Sequence, residues 1–344
     1  MPNASDFRWP AEWEPQSATW IAWPHNRVTW PNYFDPIPGV FARFITELSR
    51  AQPVHVLSGP PGVSPAARDM LPDNVTVHPV ATNDVWIRDY GPTFVQKLSD
   101  GSITGVDWQF NAWGGKYLPC TMDSAAAQAV CEIAKCARLT SPIVCEGGGL
   151  ETDGQGTLLT TSSVLMSSTR NPDAHRTDIE AELQRCLGVR KTVWVDGGGL
   201  DGDDTDGHID QLARFVSPGV VVAAVSTSSS DSNHEGLASN LQTLQQTDDA
   251  QGRRLTVIPL PIPLPRFVDQ RRVPESYCNF LLANGIAVVP TFRSSTDDAA
   301  LRLLEQLFPD RRIVPMDAFD LIWGLGAFHC ASQHQPAPRA VTKA

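Results

Sequence analysis

A mixed α/β fold is predicted by three features of the chain. Short β-rich runs alternate with amphipathic helices, the helices carry readable start and stop signals, and a glycine-rich turn beside an acidic residue recurs along the sequence. In chain order, strands are expected at 53–57, 75–80, 219–226, 255–260, 286–290 and 312–315. A capping box of Thr177 with Glu180 predicts a helix carrying Ile179, Leu183 and Leu187, stopped by Gly188. Ser295 with Asp298 predicts another, with Ala300, Leu303, Leu304 and Leu307 on one face and Pro309 as its stop. Residues 226–232 form a polar, serine-rich loop, no long linker divides the chain, and 335–344 are expected to be a disordered tail.

The repeated turns are Glu146-Gly147-Gly148-Gly149-Leu150 before Asp153-Gly154, then Asp196-Gly197-Gly198-Gly199-Leu200 before Asp201-Gly202, with a further echo in Trp323-Gly324-Leu325-Gly326-Ala327-Phe328. They read as structural units arrayed about one centre, or else as unrelated loops in a chain with 25 glycines.

With 344 residues a large core is available, and length alone leaves the domain count open. Lys and Arg number 27 against 38 Asp and Glu, a net charge of −11 with no basic block, which argues against nucleic acid as a partner. The same field suits a small cationic substrate, although an acidic surface is ordinarily just a solvated one. Seven cysteines without paired CxxC spacing argue against a disulfide scaffold or a structural zinc cluster. No basic segment followed by an apolar run opens the chain, and no stretch approaches the roughly 18 apolar residues of a membrane span. The expected place is a reducing cytoplasm, with no membrane partner.

Chemistry concentrates in three segments. Cys330 is the only cysteine that follows a histidine and a glycine-rich turn, whose amides can face developing negative charge. It reads as a nucleophile or a buried thiol; the other six read as small hydrophobes. His329 on an extended chain points away from Cys330, so His208, between Asp206 and Asp210, is the better base. In an extended segment His208 and Asp210 share one face, where the ring can move protons while the carboxylate holds a cation. In Asn83-Asp84-Val85-Trp86-Ile87-Arg88-Asp89-Tyr90-Gly91-Pro92, an extended reading puts Trp86 and Arg88 on one face and Asp89 on the other. Asp89 can clamp a planar cation, but the pattern alone leans to a surface ion pair of Arg88 with Asp89 or Asp84.

These segments, with Glu146 to Gly149 and His329-Cys330 followed by Gln333, resemble the successive signature blocks of the agmatine deiminase family, also described as the bacterial-type peptidylarginine deiminase family. Trp9-Pro10-Ala11-Glu12-Trp13, Arg170-Asn171-Pro172, Leu260-Pro261-Ile262-Pro263 and residues 277–290 resemble it in the same order, so the likeness spans about residues 9–336. It implies the pentein fold, a single domain over 1–334 in which five ββαβ-like units surround an active-site channel. It also implies deimination of agmatine to N-carbamoylputrescine and ammonia, with no cofactor and no metal. By position, Cys330 would be the nucleophile, His208 the general acid and base, Asp89 and Asp210 the guanidinium clamps, and Glu146 a further acid beside them. Trp86, Trp113 and Gly326 would line the substrate's path, and a homodimer is a family-level expectation. The rivals are deimination of peptidyl-arginine or another guanidino compound and, lower, a silent guanidine-binding protein. The family commonly has Gly-Gly-Gly-Asn-Ile before His-Cys; here Ala327-Phe328 either reshapes the channel or repacks behind it.

Overall fold

The computed structural model describes residues 5–60 and 63–340. Five units repeat one plan: an antiparallel strand pair, a helix, and a strand that returns parallel to the second of the pair. In the first unit, Ser332–Pro336 from the far end of the chain pairs with Gln16–Ala22, helix Ile37–Ser49 follows, and Val54–Leu57 returns parallel, flanked by Thr76–His78. The second joins Thr93–Lys97 to Ile103–Gln109, then helix Thr121–Ala134 and Ala137–Val144. The third joins Glu151–Thr152 to Thr157–Thr160, then Arg176–Leu187 and Lys191–Trp194. The fourth joins Ala213–Ser217 to Val220–Val225, then His234–Gln245 and Thr256–Pro261. The fifth joins Leu281–Ala283 to Ile286–Thr291, then Asp297–Leu307 and Arg312–Asp317.

Hydrophobic spacing explains the layers. Helix Ile37–Ser49 buries Ile37, Val40, Phe41, Phe44, Ile45 and Leu48 at three- and four-residue intervals, one stripe against its sheet. Among the described residues, the buried apolar side chains fall into one large cluster that draws on all five units, the third through Leu159 and Val193. A smaller cluster around Trp108, Leu158, Ile179 and Leu183 lies between the second and third. No helix among the described residues is long and apolar enough to cross a membrane.

The six expected strands are present with ends shifted by at most two residues. Two helix starts differ. The helix expected from Thr177 begins at Arg176, because the Asp178 carboxylate reaches back to accept from the His175 amide at 2.9 Å. The one expected from Ser295 begins at Asp297, whose carboxylate accepts from the Phe292 and Ser294 amides at 3.1 and 3.2 Å. The tail expected from Gln335 starts too early. Gln335 and Pro336 belong to the strand on Gln16–Ala22, the Trp20 indole donates to Gln335 Oε1 at 2.9 Å, and the Ala337 amide donates to Pro15 at 2.8 Å. Composition alone concealed this, since strand pairing is set by the partner. Residues 341–344 lie outside the described residues.

The units meet at five short turns, each directly preceding the first strand of a unit: Ile87–Tyr90, Gly147–Gly149, Ile209–Gln211, Tyr277–Asn279 and the turn at 327–331. Neighbouring turns touch, and the set closes on itself. The Gly148 amide donates to Asp89 at 2.9 Å, the Ser276 hydroxyl to the Gln211 carbonyl at 2.7 Å, the His329 amide to the Asn279 carbonyl at 3.3 Å, and the Arg88 amide to the Cys330 carbonyl at 3.2 Å. The glycine echo at Asp196 is therefore not a structural equivalent of Glu146. It follows the last strand of the third unit, and its Asp196 accepts from the Ser162 amide at 3.0 Å. Position before a strand, not glycine content, defines the repeat.

Candidate active site

The extended readings of two segments are overturned. Around Asp89 the chain makes a helical turn, with Asp89 N donating to Trp86 O at 3.0 Å and Gly91 N to Ile87 O at 2.8 Å. After His208 it makes a 3₁₀ turn, and the strand starts only at Ala213. Local hydrogen bonds from short polar side chains win here: the Asp203 carboxylate accepts from the Thr205 and Gly207 amides at 3.0 and 2.8 Å, and Thr205 Oγ1 accepts from the His208 amide at 3.0 Å. The helical turn separates Arg88 from Asp89. Both are 3% exposed, but Arg88 donates to His329 O, Gln333 and His334 below the site while Asp89 faces into it, which removes the surface ion-pair reading.

Asp89 Oδ1 accepts from Gly148 N and Oδ2 from the Trp113 indole, each at 2.9 Å. Opposite it, Asp210 Oδ2 accepts from His329 Nδ1 at 2.7 Å, from Asn279 Nδ2 at 3.2 Å and from the Cys330 thiol at 3.4 Å. Asp210 Oδ1 is buried and takes no hydrogen-bond partner. His208 lies between the acids, Nδ1 3.5 Å from Asp89 Oδ1 and Nε2 3.8 Å from Glu146 Oε2, with neither ring nitrogen hydrogen-bonded. Glu146 is fixed by Arg170 Nε at 2.8 and 3.0 Å, and Arg170 in turn holds Asp206 and the Thr205 carbonyl, so one guanidinium ties the Glu146 and His208 segments together. The structure thus brings Cys330, His208, Asp89, Asp210 and Glu146 together from four different units.

A cavity of about 420 Å³ opens onto this cluster. Its inner wall includes Asp89, Cys330, Trp86, Trp113, Phe110 and Gly326; the outer end is marked by the exposed Val28, Tyr117 and Leu118. His208, Asp210 and Glu146, each 0% exposed, stand behind the wall. Gly326 is required by close packing, since a Cβ there would lie 2.6 Å from the Trp86 ring. Leu325 takes a left-handed φ of 71° beside it, at a cost of about 1–2 kcal/mol. Phe328 does not enter the channel. It is fully buried against Phe44 with ring centroids 4.8 Å apart, so the departure from the usual loop repacks the layer behind the site.

Electrostatics follow from burying three carboxylates around one ring. Burial disfavours the His208 imidazolium, but Asp89, Glu146 and Asp210 outweigh it and push its pKa up to about 9. Burial raises Asp89 to about 6, against the pull of His208. Burial also opposes ionisation of Asp210 and Glu146, yet His329 with His208 and Arg214 for the first, and His208 with Arg170 for the second, hold both below the usual carboxylate range. The Cys330 thiol is pushed up by burial and then by the fields of Asp210 and Asp89. Among the described residues no three His, Cys, Asp or Glu side chains are arranged to hold a metal ion.

Gly148 forms the floor of the cluster. A Cβ there would lie 2.6 Å from both Asp89 Oδ1 and His208 Nδ1 and 3.2 Å from Asp210 Oδ2. Gly148→Ala is therefore expected to leave a folded protein with turnover reduced about 100-fold, since displacing reacting groups by an ångström has that scale of effect; activity within twofold of the parent would show that the space above Gly148 is not used.

Sequence reasoning missed Asn279, Arg170 as an anchor, and the buried Glu12, which pairs with His329 at 2.8 Å and Arg214 at 2.9 Å. The available signal for Asn279 was one amide side chain within the apolar run Tyr277 to Leu281.

Comparison with known proteins agrees with this geometry. The family model for Porphyromonas-type peptidyl-arginine deiminase matches residues 8–336. An agmatine deiminase of Pseudomonas aeruginosa (strain LESB58) is 37% identical over 98% of each chain. A solved agmatine deiminase of Enterococcus faecalis superposes with a TM-score of 0.92 at 33% identity, covering 97% of each. A dimethylarginine dimethylaminohydrolase shares the pentein fold alone, with a TM-score of 0.53 at 10% identity over 93% of this chain and 99% of that one. Full-length family match, sequence identity and superposed fold together make this chain a member of the Porphyromonas-type peptidyl-arginine deiminase family.

Proposed function

We propose that the protein is an agmatine deiminase, releasing ammonia and N-carbamoylputrescine from agmatine and water. The observation that carries the reading is the set of unpartnered buried groups, Asp210 Oδ1 and both nitrogens of His208, facing Asp89 and the Cys330 sulfur. Buried polar atoms without partners are costly; a planar guanidinium supplies the N–H donor that would satisfy the Asp210 Oδ1 acceptor, while the His208 N–H groups stay free to give a proton.

Asp89 and Asp210 would hold the substrate guanidinium by charge-assisted hydrogen bonds on two edges. Its positive charge offsets the two carboxylate fields that hold the Cys330 proton in place, so binding favours the thiolate where it is needed. The thiol releases its proton to solvent as the substrate binds, the thiolate attacks the guanidinium carbon, and the cationic His208 gives a proton to one amino nitrogen, which leaves as ammonia and frees an S-alkylthiouronium on Cys330. His208, now neutral, takes a proton from water as its oxygen adds to the same carbon. Collapse expels the sulfur, which takes up the proton lost from the added hydroxyl, and leaves the ureido product with the Cys330 thiol restored. Glu146, held by Arg170, keeps the ring oriented and stabilises its cation.

Agmatine is favoured over a zwitterionic substrate by the cavity's charge. Among the described residues, Asp84, Asp89, Asp123 and Asp204 line it with Arg271 as the single cation. Burial pushes Asp123 up to about 8, leaving it largely neutral, while the other three keep a field suited to the second ammonium of a diamine derivative. Seven free cysteines accord with a reducing cytoplasm as the site of action. The test follows ammonia and ureido product from agmatine, free arginine and an arginine peptide; agmatine is expected to give the highest kcat/KM. Turnover of the peptide alone would retain deimination and reject agmatine.

A pH profile gives a second check. Because burial raises Asp89 to about 6, its carboxylate is ionised above that pH and protonated below it. The kcat/KM for agmatine is therefore expected to fall as pH drops through about 6, with a limb absent from kcat at saturating substrate; a flat kcat/KM down to pH about 5 would remove Asp89 from the clamp.

A further inference from the structure

Two thiols outside the cavity are brought together by the way one helix ends. Helix Thr121–Ala134 stops on Lys135, whose left-handed φ of 53° turns the chain so that the Lys135 amide donates to the Glu132 carbonyl at 3.2 Å and the Cys136 amide to the Cys131 carbonyl at 3.1 Å. This paired pattern sets the side chains on either side of the turn against each other, ordinarily as an apolar contact. Here both positions are cysteines. We infer that Cys131 and Cys136 form a dithiol modification site, which hydrogen peroxide converts to a disulfide before it oxidises Cys330.

Packing fixes the pair. Cys131 is 2% exposed, and its sulfur fills the space left by Gly105 on strand Ile103–Gln109, where a Cβ would lie 2.4 Å from it. Cys136 packs against the same core but is only partly buried, so solvent reaches it. A direct main-chain hydrogen bond holds two Cα atoms within the roughly 4.4–6.8 Å that a disulfide spans. The Cys131 thiol donates toward Cys136 and, with the Gly105 main chain, holds the Cys136 thiol below its ordinary pKa against the effect of burial. The same contact, burial, and the charges of Cys136 and Asp107 push Cys131 up, with Arg138 opposing them. One accessible sulfur is thus readied as a thiolate beside a second that keeps its proton. The other thiols are placed differently. Cys120 precedes the same helix, roughly 16 Å from Cys131 at the helical rise per residue. Cys145, Cys186, Cys278 and Cys330 are buried, and burial pushes each of them up.

The oxidation balances with hydrogen peroxide as the only other reactant. The Cys136 thiolate attacks one peroxide oxygen and the O–O bond breaks, giving a sulfenic acid and a hydroxide that takes up the thiol's proton as water. Forming the sulfenic acid removes the negative charge that opposed ionisation of Cys131, so the second thiol loses its proton, attacks the Cys136 sulfur and displaces hydroxide. That hydroxide takes the Cys131 proton and becomes the second water. Two thiols lose two electrons, and one peroxide is reduced to two waters. The ring so closed is short, so the bridge constrains the unfolded chain little and stays open to reduction by small thiols.

The test exposes the full-length protein to hydrogen peroxide, quenches it, labels the remaining thiols with iodoacetamide under denaturing conditions and digests with trypsin in the absence of reductant. Cleavage after Lys116, Lys135 and Arg138 separates residues 117–135 from 136–138, so a bridge leaves two peptides joined that dithiothreitol then parts. Fragmentation is expected to place the bridge on Cys131, with Cys120 carrying the label. At the dose that bridges about half of the molecules, the peptide containing Cys330 is expected to be still at least about 90% labelled, as its burial and protonation require. Cys136→Ser is expected to give no joined peptides and to turn over agmatine at the parent rate, since neither Cys131 nor Cys136 lines the cavity. Sulfinic or sulfonic acid accumulating on Cys136 without a bridge, or a bridge through Cys120, would overturn the pairing. Oxidation of Cys330 at the same dose as the pair would overturn the order. Pairing and order are both read as masses, so turnover by Cys330→Ser, which would reject the nucleophile reading, leaves these outcomes unaffected.

Discussion

Cys330→Ser is expected to lower ammonia release from agmatine by at least about 10⁴-fold, the scale on which a covalent nucleophile is missed. The hydroxyl is nearly the size of the thiol, so the contacts to Asp210 and Asn279 can persist and the fold should be unaltered. What is lost is an ionisable nucleophile. The clamped guanidinium can bring a thiol toward its anion, but an alcohol starts many pH units further away, and a delocalised cation is a poor electrophile for a neutral oxygen. Two measurements separate chemistry from damage: calorimetric binding of agmatine should survive in the variant, and mass spectrometry of the parent caught during turnover should find the adduct on Cys330. Ordinary turnover by Cys330→Ser, or an adduct on any of the other six cysteines, would refute the assignment.

His208→Gln is the second large effect, expected at about 10²–10⁴-fold in kcat, the usual contribution of a positioned acid and base. The parent ring is held cationic, with its pKa pushed to about 9 by Asp89, Glu146 and Asp210 against the cost of burial, so it is loaded with the proton ammonia needs. Glutamine approximates the ring's reach but cannot pass a proton in either step. Its KM should not rise in proportion, because removing a buried cation beside Asp89 leaves the cavity more negative toward a cationic substrate. A variant within tenfold of the parent kcat would place the acid elsewhere; the obvious rival, His329, is already committed to Asp210 at 2.7 Å and Glu12 at 2.8 Å, with both ring nitrogens engaged away from the cavity.

Much of this site was legible before any coordinates. Cys330 stands out as a thiol after a glycine turn and His208 with Asp210 as a histidine and an acid two apart at the start of an apolar run, whereas Asp89 and Glu146 enter only through the resemblance, the pattern around Asp89 by itself leaning to a surface ion pair. Their local shape was not legible. Residues 87–90 and 209–211 have the composition of strand beginnings, yet both fold into helical turns once Asp203, Thr205 and the Gly91 amide find their hydrogen bonds. Trp113 lines the cavity, and its indole also donates to Asp89 Oδ2, a contact the sequence does not announce. Asn279 carries no charge and sits in an apolar segment, so its importance exists only through partners about fifty residues downstream and 69 residues upstream.

By itself the sequence determined the alternation of strand and helix, through the two- and 3.6-residue periods of its apolar residues, and the kind of chemistry its scattered thiol, imidazole and carboxylates can perform. Only the tertiary structure decided that five turns close into one ring, that Phe328 packs behind the channel against Phe44, and that Asn279 joins nucleophile to clamp. The physical reason is range. Periodicity and capping act within a few residues and are written locally, whereas the field on Cys330 and the seat for a guanidinium arise from groups that become neighbours only when separate units bury their faces against one another.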